Sequence, residues 1–282
     1  MSTIIKIEQL TKHYGNIKAV AGLNLEIAGG EIFGLLGPNG AGKTTTIRML
    51  TMLARPSGGR ALINGFEITL DQLKVKKEIG VAPQHLNIDM ELTAWENLEL
   101  HGRLHKMLRP TRRQRIQELL AYVDLSERAH DLAGNFSGGM KRRLLIARAL
   151  MHYPNILFLD EPTVGLDPQA RRKIWELIRR MNADGMTVLL TTHYIEEAEM
   201  LCHRVGVMDY GHLIALGTPL ELKKRVGEVV VETSNQRDSD YRFFASREEA
   251  LKYAAGLSEN VLIREANLED VFVELTGRRV GD

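Results

Sequence analysis

The stretch GLLGPNGAGKTTTIRML, from Gly34 to Leu50, lies between an apolar run and a segment with helical spacing. It places four glycines ahead of a single lysine and three threonines. Its centre, GPNGAGKT, fits the pattern G-x-x-x-x-G-K-S/T in the strand-to-helix context that this motif requires. Backbone N–H groups of such a loop, together with the N-terminus of the following helix, cradle a polyphosphate. The stretch therefore predicts a nucleotide-binding P-loop.

Residue types in this loop suit phosphate chemistry. Glycine allows the backbone to approach a phosphate closely, where a Cβ atom would block it. Lys43 would reach the β- and γ-phosphates, and the Thr44 hydroxyl would complete a Mg²⁺ shell. The predicted nucleotide-binding residues here are Gly37, Pro38, Asn39, Gly40, Ala41, Gly42, Lys43, Thr44 and Thr45.

The composition is that of an ordinary globular protein, with 44% apolar and 26% charged residues in a chain of 282. This length suits one large α/β domain with a small appendage, or two modest domains. The formal net charge of +1 gives no whole-molecule argument for binding nucleic acid or an anionic membrane.

Neither a signal peptide nor a membrane helix is expected. The N-terminus, MSTIIKIEQLTKHYG, lacks a positively charged start followed by a long apolar core. Apolar runs such as ILFL and TVLL fall far short of the roughly 20 residues of a membrane helix, so we expect a soluble chain. The single cysteine, Cys202, cannot form an internal disulfide, and we expect a buried small side chain in a reducing compartment.

Strand and helix patterns alternate along most of the chain. The early strand candidates are IIKIEQL, VAGLNLEI, EIFGLLG, RALINGFEI and EIGVAPQ, and TTTIRMLTML is the first helix candidate. From about residue 93 to 131 the pattern is helical and polar, with AWENLELHGRLHKML and RQRIQELLAYVDL as two candidate helices. The later candidates are GGMKRRLLIARALMH, NILFLDEP, QARRKIWELIRRMNADG, MTVLLTTH and IEEAEMLCHRV. Short, fully apolar strands between helices predict a mainly parallel sheet covered on both faces.

Composition changes near Gly227. The chain runs through the polar stretch ETSNQRDSD to the aromatic YRFF and then to ANLEDVFVELTG. We interpret this region as a small C-terminal appendage.

A second chemical element is ILFLDE, from Ile156 to Glu161. A buried strand that ends in two carboxylates delivers them to the edge where open α/β sheets bind ligands. Asp160 would then hold Mg²⁺ directly or through water, and Glu161 could polarise an attacking water as a general base. A strand followed by an acidic turn is the alternative, which the upstream P-loop makes weaker.

Three further residues belong to the same constellation, although each has a plainer alternative. Tyr14 could stack on an adenine, or it could be ordinary packing near a turn. Gln84 ends a strand candidate and has an amide oxygen suited to Mg²⁺ or to the attacking water, unless it is a solvated loop residue. His193 could hydrogen-bond a γ-phosphate, or it could be structural.

The stretch FSGGMKRRLLIARAL, from Phe136 to Leu150, indicates a second anion site. Ser137, Gly138 and Gly139 form another helix start with a bare backbone, and basic residues follow closely. One P-loop does not need two cradles in the same subunit. This cradle therefore suits a nucleotide that is held by a partner chain.

Taken together, the motifs resemble those of the ATP-binding cassette (ABC) family. GPNGAGKT resembles its Walker A loop, ILFLDE its Walker B motif and FSGGM its signature motif. Tyr14 matches the adenine-stacking position, Gln84 the Q-loop, Asp167 in GLD the D-loop and His193 the switch histidine. These motifs occur in family order across nearly all of the first 220 or so residues.

The resemblance implies a fold, two ligands and a dimer. The fold is an α/β P-loop NTPase with a mainly parallel core sheet, an N-terminal antiparallel β subdomain, a helical signature-motif subdomain and a small C-terminal appendage. The cassette would span residues 1–226, with a helical subdomain at about 85–150, and the appendage residues 227–282. ATP and Mg²⁺ would bind in a head-to-tail homodimer, each ATP between one chain's Walker A loop and the other chain's SGG.

Two departures from the family pattern stand out. The signature motif usually begins with leucine and ends with glutamine, where this chain has Phe136 and Met140. Met140 cannot make the glutamine's hydrogen bonds. The D-loop has Gly165 where alanine is common.

The departures and the tail LEDVFVELTG, Leu268 to Gly277, resemble an exporter branch of the family. Its members are stand-alone ATPase subunits similar to the daunorubicin-resistance and nodulation-factor export ATPases. The resemblance implies a separate membrane permease, contacts with it just after Gln84, a place at the cytoplasmic face of the cell membrane and no nucleic-acid partner. Nearby lies a basic cluster that we interpret as a solvated helix face: Arg109, Arg112, Arg113 and Arg115.

Other functions remain to be weighed. Soluble ABC proteins that act on ribosomes usually carry two cassettes in one chain, and those that act on DNA split the cassette with a long coiled coil. This chain has one motif set and a short helical insertion, so transport is favoured. A P-loop kinase or GTPase would leave FSGGM and His193 unexplained. Preference for ATP over GTP stays open, because a stacking tyrosine reads the face of a base.

Overall fold

A computed structural model describes residues 2–234, 239–257 and 260–277. The strands in these ranges are β1 (Thr3–Tyr14), β2 (Ile17–Ala28), β3 (Ile32–Leu36), β4 (Gly58–Ile63), β5 (Phe66–Glu67), β6 (Ile79–Ala82), β7 (Ile156–Asp160), β8 (Thr187–Thr192), β9 (Arg204–Asp209), β10 (His212–Gly217), β11 (Val229–Ser234), β12 (Ser239–Phe244) and β13 (Asn260–Glu265). The α-helices are α1 (Lys43–Leu50), α2 (Gln72–Glu78), α3 (Ala94–Leu104), α4 (Arg109–Tyr122), α5 (Gly138–Ala149), α6 (Pro168–Ala183), α7 (Ile195–Leu201), α8 (Pro219–Val226), α9 (Arg247–Ala254) and α10 (Leu268–Thr276). Among the described residues, no helix combines the length and apolar character of a membrane span.

A six-stranded sheet in the order β10-β9-β3-β8-β7-β6 forms the centre of the molecule. All neighbours in this sheet are parallel except β10, which pairs antiparallel with β9. Every residue of β3, β7 and β8 is buried, as expected for parallel strands covered on both faces. The predicted parallel core is confirmed.

Apolar clusters cover the two faces of this sheet. Alternate residues of β7 point to opposite sides, as strand geometry requires. Leu157 and Leu159 join the cluster built with the helices, whereas Ile156 and Phe158 join the cluster under the N-terminal strands. Cys202 is buried in the helix-side cluster, and burial raises the pKa of its thiol well above the usual value. The expectation of a buried small side chain there is confirmed.

The N-terminal strands form an antiparallel sheet in the order β2-β1-β4-β5. RALINGFEI, treated as one strand candidate, is two strands joined by a tight turn. Asn64 and Gly65 form this turn with φ values of 48° and 80°, as two-residue hairpin turns require.

Two helices are shorter than the sequence predicts. The candidate TTTIRMLTML is too long, since α1 ends at Leu50, and the helix predicted from IEEAEMLCHRV ends at Leu201 before β9.

Helices α3, α4 and α5 occupy the predicted helical region. Thr93 and Glu96 begin α3 with a capping box, in which each side chain accepts a hydrogen bond from the other residue's backbone N–H. Arg112 of α4 is only 8% exposed and donates to both carboxylate oxygens of Glu99 at 2.7 and 2.8 Å. The interpretation of the basic cluster as a solvated face is therefore wrong for Arg112, because this guanidinium ties α4 to α3.

The C-terminal region contains an antiparallel sheet in the order β12-β11-β13, with α9 packed against it. Helix α10 packs back on the cassette, where Leu268, Val271 and Phe272 are buried in the helix-side cluster. Residues 235–238 of the polar stretch that marked this region, together with 258–259 and 278–282, lie outside the described residues. We keep 1–226 and 227–282 as our proposed division of the chain.

Candidate active site

The P-loop, Gly37–Gly42, joins the C-terminal end of β3 to the start of α1. Its tip, Asn39 and Gly40, is exposed, whereas the flanking residues are buried. Gly42 immediately precedes α1 with a φ of 102°, a conformation that favours glycine. Thr44 and Thr45 follow on the first turn of α1, half-buried below the loop. The loop thus turns between the sheet and a helix N-terminus, the arrangement that binds phosphate.

Lys43 holds its ammonium group against two carbonyl oxygens of this loop. The side chain is 4% exposed, and Nζ donates to the carbonyl oxygens of Gly37 at 2.6 Å and Pro38 at 2.9 Å. Burial lowers the pKa of Lys43, while the nearby carboxylates of Glu161 and Asp160 act in the opposite direction. An anion bound by the loop would therefore meet an ammonium group that is already held in place.

Asp160 ends β7 at the carboxyl edge of the central sheet. Its Oδ1 atom accepts hydrogen bonds from the hydroxyl groups of Thr44 at 3.0 Å and Thr191 at 2.6 Å. Thr191 lies on the neighbouring parallel strand β8, directly opposite Asp160 in the register. Hydroxyl and carboxylate oxygens are the hard ligands that Mg²⁺ prefers, so this donor set fits that ion.

Three predicted residues lie around the Glu161 carboxylate. Gln84 Nε2 donates to Oε2 of Glu161 at 3.0 Å. Nδ1 of His193 lies 3.2 Å, and Nζ of Lys43 3.9 Å, from Oε1 of the same carboxylate. The backbone of Glu161 has a φ of 48°, uncommon for a residue with a side chain, and its N–H donates to the carbonyl oxygen of Thr191 at 3.1 Å. The carboxylate that follows this backbone turn lies beside the Q-loop residue Gln84.

Arg142 of α5 fixes the backbone that carries Gln84. The side chain is buried, and its two terminal nitrogens donate to the carbonyl oxygens of Pro83 at 2.9 Å and Gln84 at 3.0 Å. The sequence interpretation placed the basic residues after SGG at a second anion site. For Arg142 that interpretation is wrong, because the guanidinium points inward and ties α5 to the Q-loop.

A separate surface carries the residues predicted to contact a partner's nucleotide. Ser137 begins α5 by accepting a hydrogen bond from the Met140 N–H at 3.3 Å, and Asp167 begins α6 by accepting one from the Ala170 N–H at 2.8 Å. These two caps and Gly139 line one cavity of about 150 Å³. A Cβ atom on Gly139 would lie 2.9 Å from that of Ala170, so glycine permits the close approach of the two helix starts.

The departures from the usual motifs have structural counterparts. Phe136 is 5% exposed and belongs to the helix-side cluster, so an aromatic ring replaces leucine there as a core residue. Gly138 is the first residue of α5. Gly165 has a φ of 74°, which glycine adopts without the strain of a Cβ atom.

Comparison with known proteins decides the family. The model of the family described as ABC transporter matches residues 20–164. Daunorubicin resistance ATP-binding protein DrrA3 of Streptomyces coeruleorubidus is 41% identical over 309 residues, covering 99% of this chain and 98% of its own. Nod factor export ATP-binding protein I of Cupriavidus metallidurans is 41% identical over 303 residues and covers both chains fully. The chain belongs to the ABC transporter family. It is an ATP-binding ABC transporter ATPase, as its motifs predicted, and it lies close to the exporter branch.

Solved structures agree with the ABC fold. CbiO1 from Clostridium perfringens, part of the ABC transporter complex cbiONQ, has a TM-score of 0.73 and 29% identity, covering 79% of this chain and 91% of its own. A dimeric post-hydrolysis structure of the ATP-binding cassette MJ0796 with ADP and Pi has a TM-score of 0.68 and 32% identity, covering 76% and 98%. The predicted fold class is confirmed, including the N-terminal antiparallel sheet, the helical subdomain and the small C-terminal sheet.

Tyr14 lies apart from the Glu161 cluster, at the end of β1 in the β1–β2 hairpin. Its side chain is 46% exposed, and Nζ of Lys12 lies 4.9 Å from the ring centre. The hairpin packs closely against the P-loop where Ala19 faces Gly42. A Cβ atom on Gly42 would lie only 2.5 Å from the Ala19 carbonyl oxygen, so the approach requires glycine. Exposure leaves ring area for a base to cover.

Glu197 of α7 was missed by sequence reasoning. It is fully buried and accepts hydrogen bonds from the Thr163 hydroxyl at 2.8 Å and the Trp175 indole at 3.0 Å. Burial raises its pKa. This carboxylate therefore links α7 to α6, through Trp175, and to the segment between Glu161 and α6, through Thr163. An acidic residue on a short amphipathic helix gives no sequence signal of such a role.

Proposed function

We propose that this ABC ATPase forms a head-to-tail homodimer that binds two Mg-ATP and drives a separate membrane permease in export. Convergence of Lys43, Gln84 and His193 on the Glu161 carboxylate is the observation that carries the hydrolytic part. Similarity along the whole chain to a drug-resistance and a Nod factor export ATP-binding protein supports the direction of transport.

ATP binding would rearrange the hydrogen bonds of Lys43. Its ammonium now donates to the loop's own carbonyl oxygens, and phosphate oxygens are stronger acceptors at the same place. Residues 37–45 would surround the phosphates with the backbone N–H groups of all but Pro38, which has none, and Tyr14 would stack on the base. Negative charge on the phosphates would also offset the burial that lowers the pKa of Lys43.

Thr44, Asp160 and Gln84 are the proposed Mg²⁺ ligands. The Thr44 hydroxyl and the Asp160 carboxylate already lie 3.0 Å apart, and the Gln84 amide nitrogen is used toward Glu161, which leaves the amide oxygen as an acceptor. When bound, Mg²⁺ would neutralise charge that develops on the β- and γ-phosphates.

Glu161 would act as the general base in hydrolysis. It would accept the proton of the attacking water while Gln84 fixes the orientation of its carboxylate. His193, beside the other carboxylate oxygen, would hydrogen-bond the γ-phosphate. Nε2 would make this bond, because Nδ1 faces the carboxylate.

The partner chain would supply the rest of the site. Ser137, Gly138, Gly139 and Asp167 would cover the γ-phosphate of the nucleotide bound by the other subunit. Two capped helix starts that meet at one cavity support this role, since unpaired N–H groups there attract anions. The cassette MJ0796 was solved as a dimer with ADP and Pi.

Residues at about 85–150 would dock the permease at the cytoplasmic face of the cell membrane. CbiO1 is part of a transporter complex, which supports a partner of this kind. The dimer would close when ATP binds and open after hydrolysis. These motions would be passed to α3 and α4 through the contacts that α5 makes with the Q-loop.

Affinity purification of the chain from gently solubilised native membranes tests the proposal. We expect one integral membrane protein to copurify and to stimulate ATP hydrolysis. Copurification of ribosomes or DNA-processing enzymes without a membrane protein would leave an ABC ATPase but would overturn transport.

A further inference from the structure

Three histidines from two separate segments of the chain lie together. His101 lies on α3, His105 follows one turn later at the C-terminal end of this helix, and His152 lies in the turn between α5 and β7. One ring nitrogen from each lies within 4.8 Å of the others. The rings of His105 and His152 are stacked, with centres 3.9 Å apart and an angle of 4° between their planes.

Hydrogen bonding sets the tautomer of His152. Its Nε2 atom lies 2.9 Å from the carbonyl oxygen of Ile79, which can only accept, so Nε2 carries the proton. Nδ1 therefore presents a lone pair. This atom is buried and has no hydrogen-bond partner among the described residues. A histidine that donates one ring N–H to a backbone carbonyl while the other nitrogen is free is arranged as metal-binding histidines are.

Burial favours the neutral form of all three rings. Burial lowers the pKa of His101 to about 3 and that of His152 to about 4, and it also lowers the pKa of His105. Arg148 beside His101 and Arg115 beside His152 act in the same direction. Neutral imidazole is the form that binds metals, but two nearby cations disfavour hard ions that are held by charge alone.

We propose that His101, His105 and His152 bind one divalent transition-metal ion of the kind that imidazole prefers, such as Zn²⁺. Three histidines with a fourth position open to water form a known type of zinc site. Because a metal ion binds in the plane of each imidazole, His105 must turn out of its parallel stack on His152 as the ligand atoms approach, and its exposed ring has the freedom to do so.

The ion would connect parts of the fold that are distant in sequence. His101 on α3 and His105 at its C-terminal end lie in the helical region, whereas His152 follows α5 and is tied through Ile79 to the edge strand β6. A bound metal would therefore hold α3 against the central sheet. The site contains none of the residues assigned to ATP, so its test does not depend on the proposed function.

Zinc titration of the full-length, tag-free chain tests the site directly. After chelator treatment, Zn²⁺ is added in excess Mg²⁺ and without nucleotide, and binding is followed by calorimetry and by the rise in Tm. Co²⁺ substitution gives an absorption spectrum that reports coordination by nitrogen. We expect one Zn²⁺ per chain with a Kd below about 10 µM.

Three variants separate ligation from ring packing. His105→Ala and His105→Phe should each weaken Zn²⁺ binding more than about tenfold, and the phenylalanine variant keeps a ring against His152. His130→Ala removes an exposed histidine elsewhere in the helical region and should bind as wild type does. Binding weaker than about 10 µM in the wild type, or unchanged binding in His105→Phe, would overturn the site and leave a stacked histidine cluster.

Discussion

The guanidinium of Arg142 donates to the carbonyl oxygen of Gln84 at 3.0 Å, while the side chain of Gln84 donates to Glu161 at the same distance. One buried arginine on the signature-motif helix thus holds the backbone whose side chain orients the proposed general base. We infer that Arg142 is a positioning residue that couples α5 to the chemistry.

Arg142→Ala tests this coupling. The change leaves two partly buried carbonyl oxygens without their charged donor, so we expect a loss of about 2 kcal/mol in the free energy of unfolding. We also expect kcat to fall by about tenfold or more with little change in KM for ATP, because the variant displaces Gln84 and leaves the P-loop intact. Urea unfolding and steady-state kinetics measure the two effects.

Arg113→Ala is the matched control, since this exposed arginine lies on α4. It should change neither quantity appreciably. Arg142→Lys should recover part of the stability. An Arg142→Ala protein that is destabilised but keeps its kcat would show that the arginine is structural only.

The ion pair between Glu99 and Arg112 gives a pH-dependent prediction. Hydrogen bonds from Arg112, assisted by Arg103, lower the pKa of Glu99 from 4.5 to about 2. Because the folded pKa lies below the unfolded one, the stabilisation is fully present above pH 4.5 and is lost as the pH falls toward 2. Glu99→Gln should therefore cost about 1 to 2 kcal/mol at pH 7, allowing for solvent screening, and progressively less in acid.

Urea midpoints of the wild type and Glu99→Gln across this pH range measure the effect. Glu127→Gln, which changes an exposed carboxylate after α4, is the control and should show no such trend. A difference that does not shrink as the pH falls below 4.5 would contradict the assignment of the stabilisation to the charged pair.

Tyr14 provides a test of base stacking. Tyr14→Ala should weaken ATP binding about tenfold, because stacking of a base on an aromatic ring is worth about 1–3 kcal/mol. Tyr14→Phe keeps the ring and should bind as the wild type does. Equilibrium binding of a fluorescent ATP analogue measures both, and wild-type affinity in Tyr14→Ala would remove this residue from the nucleotide site.

Asp160 should determine the Mg²⁺ requirement. In Asp160→Asn the Thr44 and Thr191 hydroxyls keep an oxygen acceptor, but one anionic ligand is lost. We expect the Mg²⁺ concentration for half-maximal ATP hydrolysis to rise more than about tenfold, and chelation to abolish hydrolysis in both proteins. An unchanged Mg²⁺ dependence would assign the ion to other ligands.

Much of the cassette was predictable because its chemistry depends on local patterns. Glycines at fixed spacing before a lysine predict the P-loop, and the apolar run before Asp160 predicts a buried strand that ends in a carboxylate. Asp160 and Thr191 could also have been paired in advance, since parallel strands deliver their carboxyl ends to one edge.

Other features depend on contacts between distant segments and have no local signal. Arg142 and Arg143 are adjacent in the sequence, yet only helix packing decides that Arg142 turns inward to the Q-loop. Arg112 could not be distinguished from its exposed neighbours until α3 placed Glu99 beside it. His152 lies in the turn after α5, and only the packing of the folded chain brings this turn to His101 and His105.

Replacement of Glu161 by glutamine is the measurement that tests the central claim most directly. The variant keeps the shape of the side chain, but its amide cannot act as a base, so we expect single-turnover hydrolysis to fall about 100-fold or more while ATP affinity is kept. With ATP and Mg²⁺ it should accumulate as a dimer in size-exclusion chromatography with light scattering. Glu196→Gln, an exposed neighbour of the buried Glu197, should hydrolyse and elute as the wild type does. Hydrolysis by Glu161→Gln at the wild-type rate, with no ATP-dependent dimer, would contradict the mechanism.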